Sequence, residues 1–463
     1  VLDIIKNWKR ITDNLIAEMK MFNFNRILSP KALKYNAMVA AAVSGTPQLI
    51  VAFGLLSFAG CSSTRSSHSE KKPTLKIISR TVTKDPSGFH NALYTEKKGK
   101  QLISENLKSE DNGQTWNKYT FQPDFYIELP YGYRRNRITS VRDPYTGRIV
   151  TMINSLDTPG LDPKIDEPQV ALSTYYLRYT VSPDGGNSWL FEEPVIQTGH
   201  TAQNPIDGIT IGKNSIYLGD LGCIPIVTRN HKILVPVQAT LAGPDGNLLN
   251  PGGGYTYTDV MVLIGTWTDG NKLTWKVSQK VEGDPKRSTR GMIEPTMIEL
   301  KDGRILMVMR GSNGGKLDPK DQLPSYKWYS ISKDGGETWS KPEPWCFEDG
   351  EPFYSPSSMS ALFKHSSGRC FWVGNLSKEN CQDNLPRWPL VIAEVNTSNL
   401  KLIRSSLLTL DTRTEEDLQK GRLDLSHFTL LEDRETKELI LTYPRNTNAY
   451  RNTEWVTVRL TIM

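Results

Sequence analysis

The 463 residues leave room for one large domain or two to three ordinary ones, and a composition of 38% hydrophobic and 23% charged residues, with 35 Gly and 28 Pro, is that of a turn-rich globular protein. The net charge of +6 sits largely at the start: residues 1–60 hold seven Lys/Arg against three Asp/Glu, so the rest carries only +2 and no basic run to track a phosphate backbone, which argues against a nucleic-acid partner. Five scattered Cys have neither CxxC spacing nor a nearby His, which excludes a disulfide scaffold and a zinc site, while an oxidising compartment leaves a Cys370–Cys381 bridge open.

The first elements in chain order are an address. Basic residues Arg26, Lys31 and Lys34 precede an apolar stretch from Ala37 to Ala59, and Ala59-Gly60-Cys61 follows. Charged, apolar, then small is the order of a secretory signal, here residues 1–60, with Met19 or Met21 as alternative starts. The Ala-Gly-Cys ending resembles a bacterial lipobox, although Phe58 stands where such motifs usually have Leu. The resemblance implies that Cys61 is lipidated, so that the mature protein is exported and membrane-anchored. An uncleaved membrane helix is the competing reading, and Gly45, Pro47 and Gln48 interrupt the run it needs. Residues 61–74, rich in Ser, read as a flexible tether.

From residue 75 to 463 the chain repeats. Ser109–Trp116, Ser182–Trp189 and Ser332–Trp339 share the pattern S-x-D-x-G-x-x-W, and Thr268–Trp275 is a degenerate copy. The pattern is turn chemistry: Asp and Ser accept backbone N–H groups, Gly takes positive φ and Trp packs into a sheet. A second unit, two apolar strands about a tight hairpin, occurs six times. Its copies are Asn91–Ile103, Ile138–Val150, Ile224–Val237, Met292–Met309, Met359–Val373 and Phe428–Leu441. Helical periodicity is confined to Thr414–Gly421. The expected architecture is all-β, a six-bladed β-propeller of four-stranded antiparallel blades.

These turns and hairpins resemble the sialidase superfamily, whose six-bladed propellers carry such Asp boxes. The stretch Glu294-Pro295-Thr296 to Val308-Met309-Arg310 is similar to the sialidase hairpin that bears a catalytic glutamate and an arginine of the carboxylate-gripping triad. The resemblance implies those roles for Glu294 and Arg310, the alternative being a surface residue with its salt-bridge partner. A planar guanidinium grips a carboxylate bidentately, which is why such enzymes use arginines for anionic sugars. Arg387 stands where a further triad arginine is expected on the next blade, or else lies over Trp388 as a cation–π partner.

The family pattern is incomplete elsewhere. Where the first triad arginine belongs the sequence has His90, and the nearest Arg-Ile pair, Arg137-Ile138, comes one blade later. Leu425 replaces the expected tyrosine nucleophile; beside it, His427 with Asp424 offers a general base and its orienter, or a structural histidine. The acidic insertion Asn154–Val170 supplies Asp157, Asp166 and Glu167 as acid/base candidates or as solvent-facing residues. Gly243–Gly254 lacks the Lys-Ser/Thr of a phosphate loop and reads as a rim loop, with Tyr255 and Tyr257 placed to stack on sugar. No motif requires a metal or cofactor. The resulting expectation is an exported glycoside hydrolase removing sialic acid or a related anionic sugar from a glycan. A non-catalytic glycan-binding propeller and an exo-glycosidase for a neutral sugar are the alternatives.

Overall fold

The structure, a computed structural model, describes residues 74–463 except 87, 88, 90, 166 and 448–451. Six antiparallel sheets follow one another along the chain, as the six hairpin repeats imply. Blade one comprises Leu93–Tyr94, Leu102–Ser104, Leu107–Ser109 and Asn117–Lys118; blade two, Tyr133–Arg142, Ile149–Asp157, Tyr176–Ser182 and Glu192–Pro194. Blade four runs Ile293–Glu299, Ile305–Arg310, Lys327–Ser332 and Glu343–Pro344. Blade five holds Ala361–Lys364, Cys370–Asn375 and Leu390–Asn396, with an outer strand split into Lys401–Leu402 and Leu408–Asp411. Blade six ends on a strand from the other end of the described chain: Leu75–Thr83 pairs antiparallel with Asn452–Ile462. That pairing closes the ring.

The innermost strands of blades three and six are interrupted. In blade three, Ile216–Tyr217 and Ile226–Val227 both pair with Lys232–Thr240; in blade six, Leu423–Asp424 and Thr429–Glu432 both pair with Leu439–Thr447. Each break loops out a short segment, 218–225 and 425–428. Blades three and six stand opposite each other in a ring of six, so the two segments approach across the axis.

The second strand of each blade is buried on both faces because each blade packs against the next. Lys232–Thr240, KILVPVQAT, has eight buried residues of nine, a near-continuous apolar run instead of an alternating one. Apolar clusters fill the spaces between neighbouring blades, one joining Val150 and Val181 to Val235 and Met261, another joining Val308 to Trp345 and Trp372. Each fully buried Val, Leu or Phe contributes about 1.5–3 kcal/mol, so these layers hold the ring. The three regular Asp boxes and the Thr268 copy connect the third and fourth strands of blades one to four. Glu415–Lys420 is a short helix with a capping box from Thr414 and Asp417, as its periodicity suggests. The brief helix Ala171–Thr174 was not expected. Cys370 and Cys381 do not form the bridge left open by the sequence, and both are free thiols. The export segment, Cys61 and nearly all of the tether lie outside the described residues.

Candidate active site

Glu294 and Arg310 face each other at the end of the blade-four hairpin. Ile293 pairs with Arg310, and the register then shifts before Thr296, leaving Glu294-Pro295 as a bulge. Glu294 adopts φ +46°, a left-handed conformation unusual for a residue before proline. Its backbone N–H donates to Gln238 Oε1 at 2.8 Å. A Cβ at Gly219 would stand 2.4 Å from that oxygen and 2.8 Å from Glu294 Cγ, so glycine is required there. One Glu294 oxygen pairs with Arg310 Nη1, and both side chains are nearly buried, 8% and 9% exposed. The other, Oε2, is buried without a hydrogen-bond partner.

Ser357 links this pair to blade five. Arg310 Nε donates to Ser357 Oγ at 2.8 Å, and Arg387 Nη2 donates to the Ser357 carbonyl at 3.4 Å. Arg387 Nη1 lies 3.2 Å from Asp424 Oδ2 and 3.1 Å from Ser426 Oγ. Ser426 Oγ donates to Asp424 Oδ1 at 2.6 Å, so it receives the proton of its 3.0 Å contact with His427 Nδ1. His427 Nε2 lies 3.3 Å from Asp220 Oδ2. Asp220 belongs to the segment looped out of blade three and His427 to that of blade six. Burial opposes charge on both groups, yet their hydrogen bond and mutual attraction prevail: His427 is raised above its ordinary value and Asp220 lowered. The pair favours imidazolium facing carboxylate.

A third guanidinium completes the group. Arg290, four residues before Glu294, touches the Thr256 carbonyl through Nε at 3.4 Å and forms no salt bridge among the described residues. Burial, then the nearby Arg310 charge, pushes its pKa down, and the more distant charges of Asp383 and Glu294 offset this only in part. These groups share a cavity of about 510 Å³ with Tyr217 and Tyr255. A larger groove of about 790 Å³ runs beside Lys280, Asp284 and Trp328 and contains none of them. Of the eleven non-glycine residues with positive φ among the described residues, Glu167, Glu294, Asp383 and His427 all line the mouth, and strain of this kind costs about 1–3 kcal/mol each.

Residues 167–444 match the BNR repeat-like domain family. The chain belongs to that family. Its sialidase-superfamily resemblance is thereby borne out, as is the six-bladed fold. Over 237 residues it is 29% identical to a protein of Paraclostridium sordellii named sialidase, covering 51% of this chain and 49% of that relative, about half of its length. A Dyadobacter fermentans structure of unknown function aligns with TM-score 0.51 and 17% identity over 84% of this chain and all of its own. A sialidase of Streptococcus pneumoniae aligns with TM-score 0.47 and 14% identity, covering 85% of this chain and 69% of its own.

This BNR repeat-like propeller gathers only part of the expected set. Glu294, Arg310, Arg387, His427 and Tyr255 line the mouth, and Tyr255 donates to the Glu167 carbonyl at 3.0 Å. Arg387 is not the cation over Trp388; Arg413 is, at 5.8 Å. Asp424 holds Arg387 and hydrogen-bonds Ser426, which in turn contacts His427 Nδ1, while the carboxylate beside His427 Nε2 is that of Asp220. Arg137 is not brought to the mouth: its guanidinium lies 3.6 Å and 4.0 Å from the rings of Phe121 and Tyr126. Asp157 is likewise elsewhere, bound to Arg135 and to Tyr176 Oη at 2.7 Å. Tyr257 is turned to the Gly283 carbonyl and buried. Leu425 is fully buried, and His90 and Asp166 lie outside the described residues. Sequence reasoning missed Asp220, Arg290 and Ser357. Asp220 had one signal, its place between the glycines of Gly219-Asp220-Leu221-Gly222.

Proposed function

We propose that this protein is a glycoside hydrolase of sialidase type that removes sialic acid or a related carboxylated sugar from the end of a glycan. The observation carrying this reading is one cavity that holds three arginines, a carboxylate with an unpartnered oxygen, and a His–Asp pair. The name of the P. sordellii relative supports it. The arginines supply the grip for a carboxylate: Arg310 and Arg387 are pre-oriented by Ser357, and Arg290 is the cation with no acidic partner of its own.

Without a tyrosine at Leu425, water attacks the anomeric carbon directly. Glu294 Oε2 takes a proton from that water as the new C–O bond forms. The glycosidic C–O bond breaks, and the leaving oxygen takes the Nε2 proton of His427. Asp220 stabilises the imidazolium beforehand, Ser426 Oγ keeps the Nδ1–H and holds the ring afterwards, and solvent returns the proton from Glu294 to His427. Export through residues 1–60 and lipidation of Cys61 complete the proposal; retention of the protein in the detergent phase, lost in Cys61→Ser, tests that part.

The test of the chemistry is sugar release by the full-length protein from sialylated and neutral glycans, with Glu294→Gln alongside. Sialic acid release that disappears in the variant supports the reading. Release of a neutral sugar discards the anionic substrate, and binding without any release points to a glycan-binding propeller.

A further inference from the structure

Beneath the arginines lies a cation that this chemistry does not use. Lys327 begins the third strand of blade four, paired in register with Arg310, and is 0% exposed. No carboxylate among the described residues forms a salt bridge with it; its Nζ donates instead to the backbone carbonyls of Pro356, at 3.3 Å, and Ser358. Burial, followed by the charge of Arg310, lowers its pKa to about 7. An ammonium taken out of water without a counter-charge costs stability, and a methionine of the same reach avoids that cost. Stability alone does not account for a lysine here.

The two carbonyls it holds flank Ser357. That residue accepts from Arg310 Nε through its hydroxyl and from Arg387 Nη2 through its carbonyl, and its own N–H donates to the Asp383 carbonyl at 2.8 Å. The neighbouring serines are pinned separately: Ser355 Oγ to the Asn375 carbonyl at 2.6 Å and Ser358 Oγ to Asn375 Oδ1 at 2.9 Å. Ser357 is thus the joint between two guanidinium groups from different blades, and among the described residues Lys327 is the one side chain that grips the backbone on both sides of it.

We propose that Lys327 is a positioning residue that, by clamping the Pro356 and Ser358 carbonyls, sets Ser357 and through it the spacing of Arg310 and Arg387. The consequence for a bound sugar carboxylate rests on the function proposed above; the placement of Ser357 does not.

Lys327→Met in the full-length protein removes the donors and the charge while keeping the length. Its melting temperature is expected to hold or rise. The KM for a sialylated substrate rises roughly tenfold to a hundredfold, as expected for misplaced positioning groups, with kcat changed much less. Calorimetric affinity for free sialic acid falls by the same factor, and the crystal structure of the variant shows Ser357 withdrawn from the arginines. An unmoved Ser357, or an unchanged KM, overturns the proposal. Should Lys327→Met fail to fold, Lys327→Leu, which likewise has no donor, decides: a raised KM at native melting temperature supports the clamp and an unchanged one overturns it. If the unaltered protein neither binds nor cleaves sialic acid, the anionic-sugar reading fails, and the position of Ser357 in the variant structure still decides the role of Lys327.

Discussion

The Asp-box turns and the central mouth use the same residue types in opposite ways. In the blade-four turn, Asp334 Oδ1 receives Ser332 Oγ at 2.8 Å and the Thr338 N–H at 3.0 Å, and Ser332 Oγ receives the Gly336 N–H at 2.8 Å. The blade-two turn repeats this with Ser182, Asp184 and Ser188. Every partner lies within six residues, and the carboxylate is saturated. At the mouth, partners come from different blades, Asp220 with His427 and Arg387 with Asp424. There Glu294 Oε2 and Arg387 Nε are buried with no hydrogen-bond partner among the described residues. Saturated local groups build the ring, whereas unsaturated groups held by distant partners are available to a ligand.

The largest effect is expected at Glu294. Glu294→Gln is expected to lower turnover by about 10²–10⁴-fold, the range for losing a positioned acid or base. It also removes the buried counter-charge of Arg310, so stability falls by about 1–3 kcal/mol, and rates are to be normalised to folded protein. Turnover surviving at wild-type level in steady-state assays removes Glu294 from the mechanism.

Asp220→Asn tests the cross-axis pair, with an expected loss of about 10²-fold in kcat. His427 is raised in the folded protein, so its share of stability is complete below its ordinary value near 6.5 and is lost as pH rises through the folded value. Asp220 is lowered, so its share is present above the ordinary aspartate value of 3.8 and is lost as pH falls through the folded one. The melting-temperature gap between wild type and variant is therefore largest between those limits. As a general acid His427 works while protonated, so the alkaline fall in kcat moves to lower pH in Asp220→Asn. An alkaline limb that stays in place excludes His427 as the acid.

How much of this was legible follows from the same contrast. Hairpins closing on Gly147, Gly303 and Gly368, all with positive φ, and turns closing within eight residues announce themselves, because each is complete within a short window. Glu294 and Arg310 were legible for that reason, lying at the two ends of one hairpin. Asp220 was hidden because its partner is reached only when two opposite inner strands break. Arg290 sits in the loop before blade four, outside any repeat unit. Arg137 misled because its neighbours in sequence match the family element, whereas the faces of Phe121 and Tyr126, supplied by the preceding loop, take its guanidinium.

Arg290 sharpens the contrast at a smaller scale. Arg290 forms no salt bridge among the described residues, so Arg290→Met breaks none. The expected result is a KM raised roughly tenfold to a hundredfold for an anionic sugar, equivalent to about 1.5–3 kcal/mol for a charge-assisted hydrogen bond, with kcat nearly kept. Equal effects on charged and neutral substrates in a KM comparison place the recognition elsewhere.

The smallest effect is expected where the polar groups are fully satisfied. Asp334→Ala removes an acceptor from an exposed turn, and the N–H of Thr338 and hydroxyl of Ser332 then turn to water, so the loss is about 1 kcal/mol. Burial works against the Asp334 charge, but the Thr338 and Ser332 hydrogen bonds outweigh it and lower its pKa. The stabilisation is therefore present above pH 3.8 and is lost as pH falls through the folded value, so wild type and variant converge in acid. Normalised kcat/KM is expected to be unchanged, because the turn joins the outer strands of blade four, whereas Glu294 stands at the start of the inner one. A variant that keeps its melting temperature but loses activity would place function in the Asp box and dissolve the division between turn and mouth.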